Sequence, residues 1–169
     1  MATLFMKYPG IKGSATAESG DASANYAGDK WMDLTSLSFS VERAVTQGAA
    51  LSTNREASAP TISEFSVSKD MDLATAALFQ ASVVGKPVQV DIDLCAPQND
   101  GKMLWWGRFN LMNCIIQNYT VKGDAEGTPS EDLQLRFTLV KFIFKVMDEK
   151  GGQTKQVPFQ YDLAKNLLT

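Results

Sequence analysis

Asp91 and Asp93 have the spacing in this chain that could do chemistry, since two carboxylates two positions apart on a strand share a face. Such a pair could serve as a catalytic or metal-binding site. No histidine occurs anywhere in the sequence, however, which removes the commonest general base and the commonest zinc ligand together. A Ser-His-Asp or Cys-His arrangement is impossible, and no third acid accompanies the pair. Asp91 and Asp93 therefore read as a solvated strand face, and carboxylate-only chemistry is the one catalytic route left open.

The other reactive residues read as structure. Asp70 and Asp72 precede a helical pattern and are expected to cap its free amides. Gly123-Asp124-Ala125-Glu126-Gly127 has the composition of a calcium loop without its ligand spacing, which makes it a solvated turn. Trp105 and Trp106 could form a stacking platform for sugars or bases. One of two neighbouring strand residues must point inward, so a single exposed Trp is expected. Cys95 and Cys114 lie on separate expected strands with no metal spacing and read as free structural thiols. No glycine-rich nucleotide loop occurs, and the expectation is a non-enzyme without cofactor or metal.

The elements that position these residues are mainly strands. In Trp31–Val41 the odd positions are expected to pack, leaving Ser36, Ser38, Ser40 and Glu42 on a small, wet face. Val88, Val90, Ile92 and Leu94 alternate with Gln89, Asp91 and Asp93. Residues 104–122 read as one long strand after a turn at Pro97–Gly101. Asp132–Met147 reads as another whose apolar parity switches, which implies a bulge near Leu139–Lys141. A last strand is expected around Val157–Tyr161. A single helix is expected at about 72–84, with Ala74, Ala77, Leu78 and Ala81 as its apolar stripe, Asp72 as cap and Gly85 as stop. Residues 14–30 and 42–60 read as pliable loops.

Composition bounds the class. The chain has 169 residues, enough for one well-buried domain and too few for two comfortable ones. Its 44% hydrophobic content argues against disorder, and a net charge of −3 with interspersed signs offers no basic surface for nucleic acid. No apolar run reaches the roughly 18 residues of a membrane span. The N-terminus lacks a signal-peptide pattern, so synthesis in the cytosol is expected.

As an ordered string, the chain resembles the haemolysin-coregulated protein (Hcp) family of type VI secretion. The resemblance is carried by Phe5-Met6-Lys7, the turn Ile11-Lys12-Gly13-Ser14, the strand from Trp31 to Phe39, and the helix block with Lys69, Asp72, Leu78, Ala81 and Gly85. It continues through Leu133–Phe144 to Phe159–Asn166. Ala74-Thr75-Ala76 stands where many relatives have Ser-Ser-Pro, and a loop histidine of the family is missing.

The resemblance implies a single tube domain over 1–169. Its expected form is a compact β-barrel of two packed antiparallel sheets with one helix, assembling into hexameric rings that stack. It further implies a contractile sheath outside the tube, a spike protein at its tip, secreted effectors in its lumen and export without a cleaved signal. Within that frame, Ser36, Ser38, Ser40 and Glu42 are expected to face the lumen. Val45, Leu51 and Arg55 in the 42–60 loop are expected to contact the next ring. The alternatives are a phage tail tube subunit and a monomeric carbohydrate-binding β-sandwich that uses Trp105 or Trp106.

Overall fold

A computed structural model describes residues 4–20, 23–46, 56–147 and 153–169. Among these described residues fourteen strands and one helix are formed: β1 (Leu4–Lys7), β2 (Met32–Asp33), β3 (Ser36–Ser38), β4 (Val41–Glu42), β5 (Val45–Thr46), β6 (Glu56–Ala57), β7 (Thr61–Ile62), β8 (Phe65–Asp70), α1 (Thr75–Val84), β9 (Val88–Pro97), β10 (Met103–Lys122), β11 (Ser130–Arg136), β12 (Leu139–Met147), β13 (Gln153–Asp162) and β14 (Leu167–Leu168).

The 20-residue β10 organises the molecule because it belongs to two sheets. Its first half pairs with β9 on one side and β12 on the other, within the order β14-β13-β12-β10-β9-β1-β2. Its second half leaves that sheet and pairs with β11, which continues to β8 and β3. Register shifts at Trp105/Gly107, Leu111/Cys114 and Ile116/Asn118 bend the strand, as bulges do when an extra residue opposes one partner. Asn113, at φ 50°, sits in the middle shift, where Asn tolerates a left-handed backbone better than most residues.

The fold is mainly β, with two antiparallel sheets and one helix, but the expected barrel does not close. Among the described residues the ladders end at β2, β3, β14 and the second half of β10. The parity switch after Leu135 is a break rather than a bulge: β11 ends at Arg136, Phe137 and Thr138 cross over, and β12 begins in the other sheet. Trp31–Val41 likewise divides. Met32 and Leu34 are buried, the chain breaks at Leu34–Thr35, and the expected parity is kept from Ser36 to Ser40 and lost at Val41, which is more than half exposed.

The main core lies between the sheets, with Phe65, Val67, Leu133 and Leu135 facing Ile92, Phe109 and Leu111. The helix lies against β10 and drives Leu78 into this core, with Ala74 buried beside it and Ala77 and Ala81 half-buried. It starts at Thr75, three residues later than expected. Its N-cap is Ala74, which has no side-chain cap, so the expected capping of the helix amides by Asp72 is not formed. The Asp72 carboxylate instead accepts the Ala74 amide at 2.9 Å, and the Asp72 amide donates to Thr75 Oγ1 at 3.0 Å, which braces the turn before the helix. Asp70 ends β8 instead. Gly85 has φ 65° and donates its amide to Ala81 O, a left-handed stop that suits a residue without Cβ.

The two supposed loops carry structure. Tyr26 is fully buried in a second core with Phe5, Ala15, Trp31, Cys95, Met103 and Trp105, which pins the 14–30 segment. The described ends of the 42–60 stretch form a two-stranded arm, because Val41–Glu42 pairs with Thr61–Ile62 and Val45–Thr46 with Glu56–Ala57. Leu51 and Arg55 lie outside the described residues.

Candidate functional site

Two motifs that are weak alone meet in space. Lys69 is fully buried and donates to Glu131 Oε1 at 2.6 Å, Asp72 Oδ1 at 2.8 Å and the Asp70 carbonyl at 2.7 Å. Ser14 reaches the same Asp72 from the N-terminal turn, its hydroxyl donating to Oδ2 at 2.8 Å. Tyr119 and Thr75 donate to Glu131. Burial pushes the Asp72 carboxyl upward, but the Lys69 and Ser14 hydrogen bonds, the Ala74 amide and the Lys69 charge together hold it below the ordinary value. The cluster joins β8, β11, the helix start and the first turn. It is a structural lock in which the ammonium and both carboxylates are engaged by partners within the chain.

A second buried cluster corrects the reading of the Asp pair. Asp93 is fully buried, and Arg108 grips it through Nε–Oδ1 and Nη2–Oδ2, both at 2.6 Å. The Tyr26 hydroxyl donates to Asp93 Oδ2 at 2.8 Å. Arg108 stacks 4.4 Å from the Trp105 ring centroid, and Trp105 donates to Ser23 Oγ. Burial pushes the Cys95 and Cys114 thiols up to about 12, so both are inert at neutral pH. Asp91 alone is partly open, accepting hydrogen bonds from Gln89 and Asn110. Trp105 is buried while Trp106 is 39% exposed, so the two form no shared platform. Among the described residues no group of three or more acids, cysteines and histidines could hold a metal.

The extended surface feature is the open face of β3, β8, β11 and the second half of β10. Cross-strand partners share a face, so the registers read as rows. One row is Ser38–Ser66–Gln134–Asn118, and the next is Ser36–Ser68–Asp132–Thr120. The alternate row, Leu37–Val67–Leu133–Tyr119, turns to the core. Every residue of the two open rows is polar and most are small. Ser40 keeps the parity beyond β3, and Phe39 packs the other way, stacked on Phe65 at 4.4 Å. Ser36, Ser38, Ser40 and Glu42 are all exposed. Sequence reasoning missed the partner rows. Ser66 and Ser68 alternate visibly with Phe65 and Val67, but only the ladder shows that these strands are neighbours.

The arm leaves this sheet directly. Ser63 and Ser58 fasten its base, their hydroxyls accepting the Ser40 and Ala44 amides at 2.8 and 3.1 Å. Val41 and Val45 are each more than half exposed, apolar groups on a slender projection.

The family model described as "Type VI secretion system effector, Hcp" matches residues 5–144. The chain belongs to the Hcp family. The structure titled "Structure of a type six secretion system protein" aligns with a TM-score of 0.83 at 17% identity, covering 100% of both chains. Hcp1 from Salmonella typhimurium gives 0.72 at 19% identity, again over 100% of both. A type VI secretion system effector from Yersinia pestis gives 0.63 at 20% identity over 94% of this chain and 98% of its own. At these identities the likeness speaks for the fold. A search of curated proteins finds no match. In this Hcp-family chain, then, the sequence markers Ser14, Lys69 and Asp72 are gathered into the lock. The open sheet face and the exposed Val41 and Val45 of the arm take no part in that lock.

Proposed function

We propose that this Hcp-family chain is a structural subunit of the type VI secretion inner tube, with residues 1–169 as one tube domain. Its role is to form hexameric rings that stack, pass effectors through the lumen, carry a spike protein at the tip and be expelled by a contractile sheath. No catalysis or cofactor enters this role. The observation that supports it is the four-stranded sheet with one dry face and one face of small polar residues. Water-filled pores need walls that stay hydrated and grip nothing strongly.

The sheet also leaves β3 and the second half of β10 without a further strand partner among the described residues. Open edges invite pairing with another chain. Six such sheets laid edge to edge, at about 4.8 Å per strand, give a circumference of about 115 Å and a diameter near 37 Å between backbones. Ser36, Ser38, Ser40 and Glu42, joined by Ser66, Ser68, Asp132 and Gln134, line this lumen. A ring interface of the obligate kind buries on the order of 2,000 Å² in total.

The arm around residues 42–60 reaches the neighbouring ring, with Val45, Leu51 and Arg55 as its contacts. Synthesis in the cytosol followed by export through the secretion machine fits this role, and among the described residues no helix is long and apolar enough to cross a membrane.

Negative-stain imaging of the purified protein tests the reading. Rings of six with a central channel are expected, and a monodisperse monomer by light scattering at high concentration would overturn it. Deleting Gln47–Asn54 is expected to spare rings and abolish tubes. Loss of the rings themselves would move the arm into the ring interface.

A further inference from the structure

The four strands of the open-faced sheet alternate in direction, since each pair from the second half of β10 through β11 and β8 to β3 is antiparallel. A copy that sets its β10 edge beside the β3 edge of the next therefore continues the ladder with the same alternation. What lies behind each edge decides whether the core layers meet as well.

Behind the β10 edge lies the helix, with the Phe79 ring 5.9 Å from that of Tyr119. Leu78 faces inward and fills the core of its own chain. The opposite side of the helix is apolar too, with Phe79, Val83 and Val84 each more than half exposed. No charged residue occurs from Leu73 to Gly85. A helix that is hydrophobic all round belongs in an interior, and this one is covered by its own chain on one side only.

Behind the β3 edge, among the described residues, no helix fills the corresponding place. Phe39 stacks on Phe65 and meets Phe109 edge-on, Phe109 stacks on Phe142, and Phe142 meets Phe159 at 5.4 Å. One chain of rings thus crosses from sheet to sheet. Its two ends, Phe39 and Phe159, are 42% and 43% exposed. The next row, Phe144–Val157, shares the face of Phe142–Phe159, and Val157 is exposed with it. The core lies open along this seam.

We propose that the helix is a plug shared by two copies. Leu78 closes the core of its own chain, while Phe79 and Val83 enter the open seam of the next copy between Phe39 and Phe159. The proposal rests on the ring reading and adds a reason for assembly, a core that one copy leaves unfinished. The step that sets β10 beside β3 carries the helix to the seam, because each lies behind its own edge. The residues named on either side are uncharged, as the buried centre of an interface is. The two patches belong to different elements, so the contact is head-to-tail, the kind that closes into a ring when its rotation fits.

The test is the mass of purified full-length variants by native mass spectrometry and light scattering. V83K on the helix and F159K on the seam each place a lysine at a position already exposed in the single chain. Both are expected to keep the circular dichroism of the wild type and to lose hexamers by about tenfold or more. An equimolar mixture is expected to give a one-to-one heterodimer and no homodimer, because only the F159K helix and the V83K seam remain intact. F79S and V157K repeat the test at a second position on each surface. Q89K adds the same charge on the outward face of β9 and is expected to leave hexamers unchanged. Intact hexamers in V83K and F159K, equal loss in Q89K, or a mixture without heterodimer overturns the proposal. Intact hexamers in the variants would leave the ring reading standing and free the helix face for a different protein outside the tube. A monomeric wild type would sink the ring reading itself, and the shared plug with it.

Discussion

Lys69 Nζ lies 2.6 Å from Glu131 Oε1, and both side chains are fully buried. Ions are this costly to desolvate only where geometry returns the loss, and here the ammonium also reaches Asp72 and the Asp70 carbonyl while Tyr119 and Thr75 serve Glu131. The pair fixes β8 to β11 and, through Asp72 and Ser14, fixes both to the helix start and the first turn. It thereby holds the four-stranded sheet in the register that exposes its serines.

Removing one partner leaves the other charge buried alone. K69M and E131L are each expected to lose about 3–5 kcal/mol of stability, whereas K69M/E131L loses clearly less than the sum of its single changes. Urea denaturation of the four proteins measures this directly. Additive losses would show that the two ions act independently.

The Asp72 carboxyl has a folded pKa held below its unfolded value, so its contribution is present above about pH 4 and lost as pH falls through the folded value. Asp132 is shifted the same way, chiefly by the hydrogen bond from Lys122. Stability is therefore expected to fall on acidification below about pH 4. In D72N that acid limb is shallower and stability at pH 7 is lower. Thermal melts from pH 7 down to pH 3 check both signs, and an unchanged acid limb in D72N would remove Asp72 as its source.

Cys95 and Cys114 are buried, and burial raises both thiols to about 12. A thiol this far above solution pH offers almost no thiolate for reaction. Titration with an aromatic disulfide reagent at pH 8 is expected to find no reactive thiol in the folded protein and both in guanidinium chloride. A stoichiometric reaction under native conditions would mean that one of the two strands opens readily.

Much of the fold was legible because period-two alternation marks one-sided burial. The strand from residue 88, the long β10 and the helix stop at Gly85 all follow from local residue types. What escaped was non-local. Asp93 looks solvated in sequence, yet Arg108 lies opposite it in the β9–β10 ladder and Tyr26 arrives from a loop 67 positions away. The break at Phe137–Thr138 looked like a bulge because the apolar parity records a change of face, while the change of sheet leaves no separate mark. The serine face was half visible: Ser36, Ser38 and Ser40 alternate within one segment, but its continuation through Ser66, Ser68 and Gln134 needed the strand order.

The turn Lys12-Gly13-Ser14 shows how a short motif acts through contacts far away. A Cβ on Gly13 would lie 2.4 Å from the Trp31 carbonyl oxygen and 2.6 Å from Met32 Cα, backbone atoms that cannot yield cheaply. Its φ is not in the left-handed region, so the requirement is for closeness rather than conformational freedom. Gly13 also donates its amide to Lys30 O at 2.7 Å, and Ala15, two residues on, donates to Trp31 O at 2.9 Å, so the turn lies against the segment that enters β2. G13A is therefore expected to cost about 3 kcal/mol or more, at the upper end of single-residue effects, and to loosen Ser14 from Asp72. S14A leaves the packing intact and removes one hydrogen bond to a charged group, for an expected loss of about 1.5–3 kcal/mol. Denaturation midpoints order the variants as wild type, S14A, then G13A. If S14A proved as damaging as G13A, the motif would act through the hydroxyl and not through the close approach.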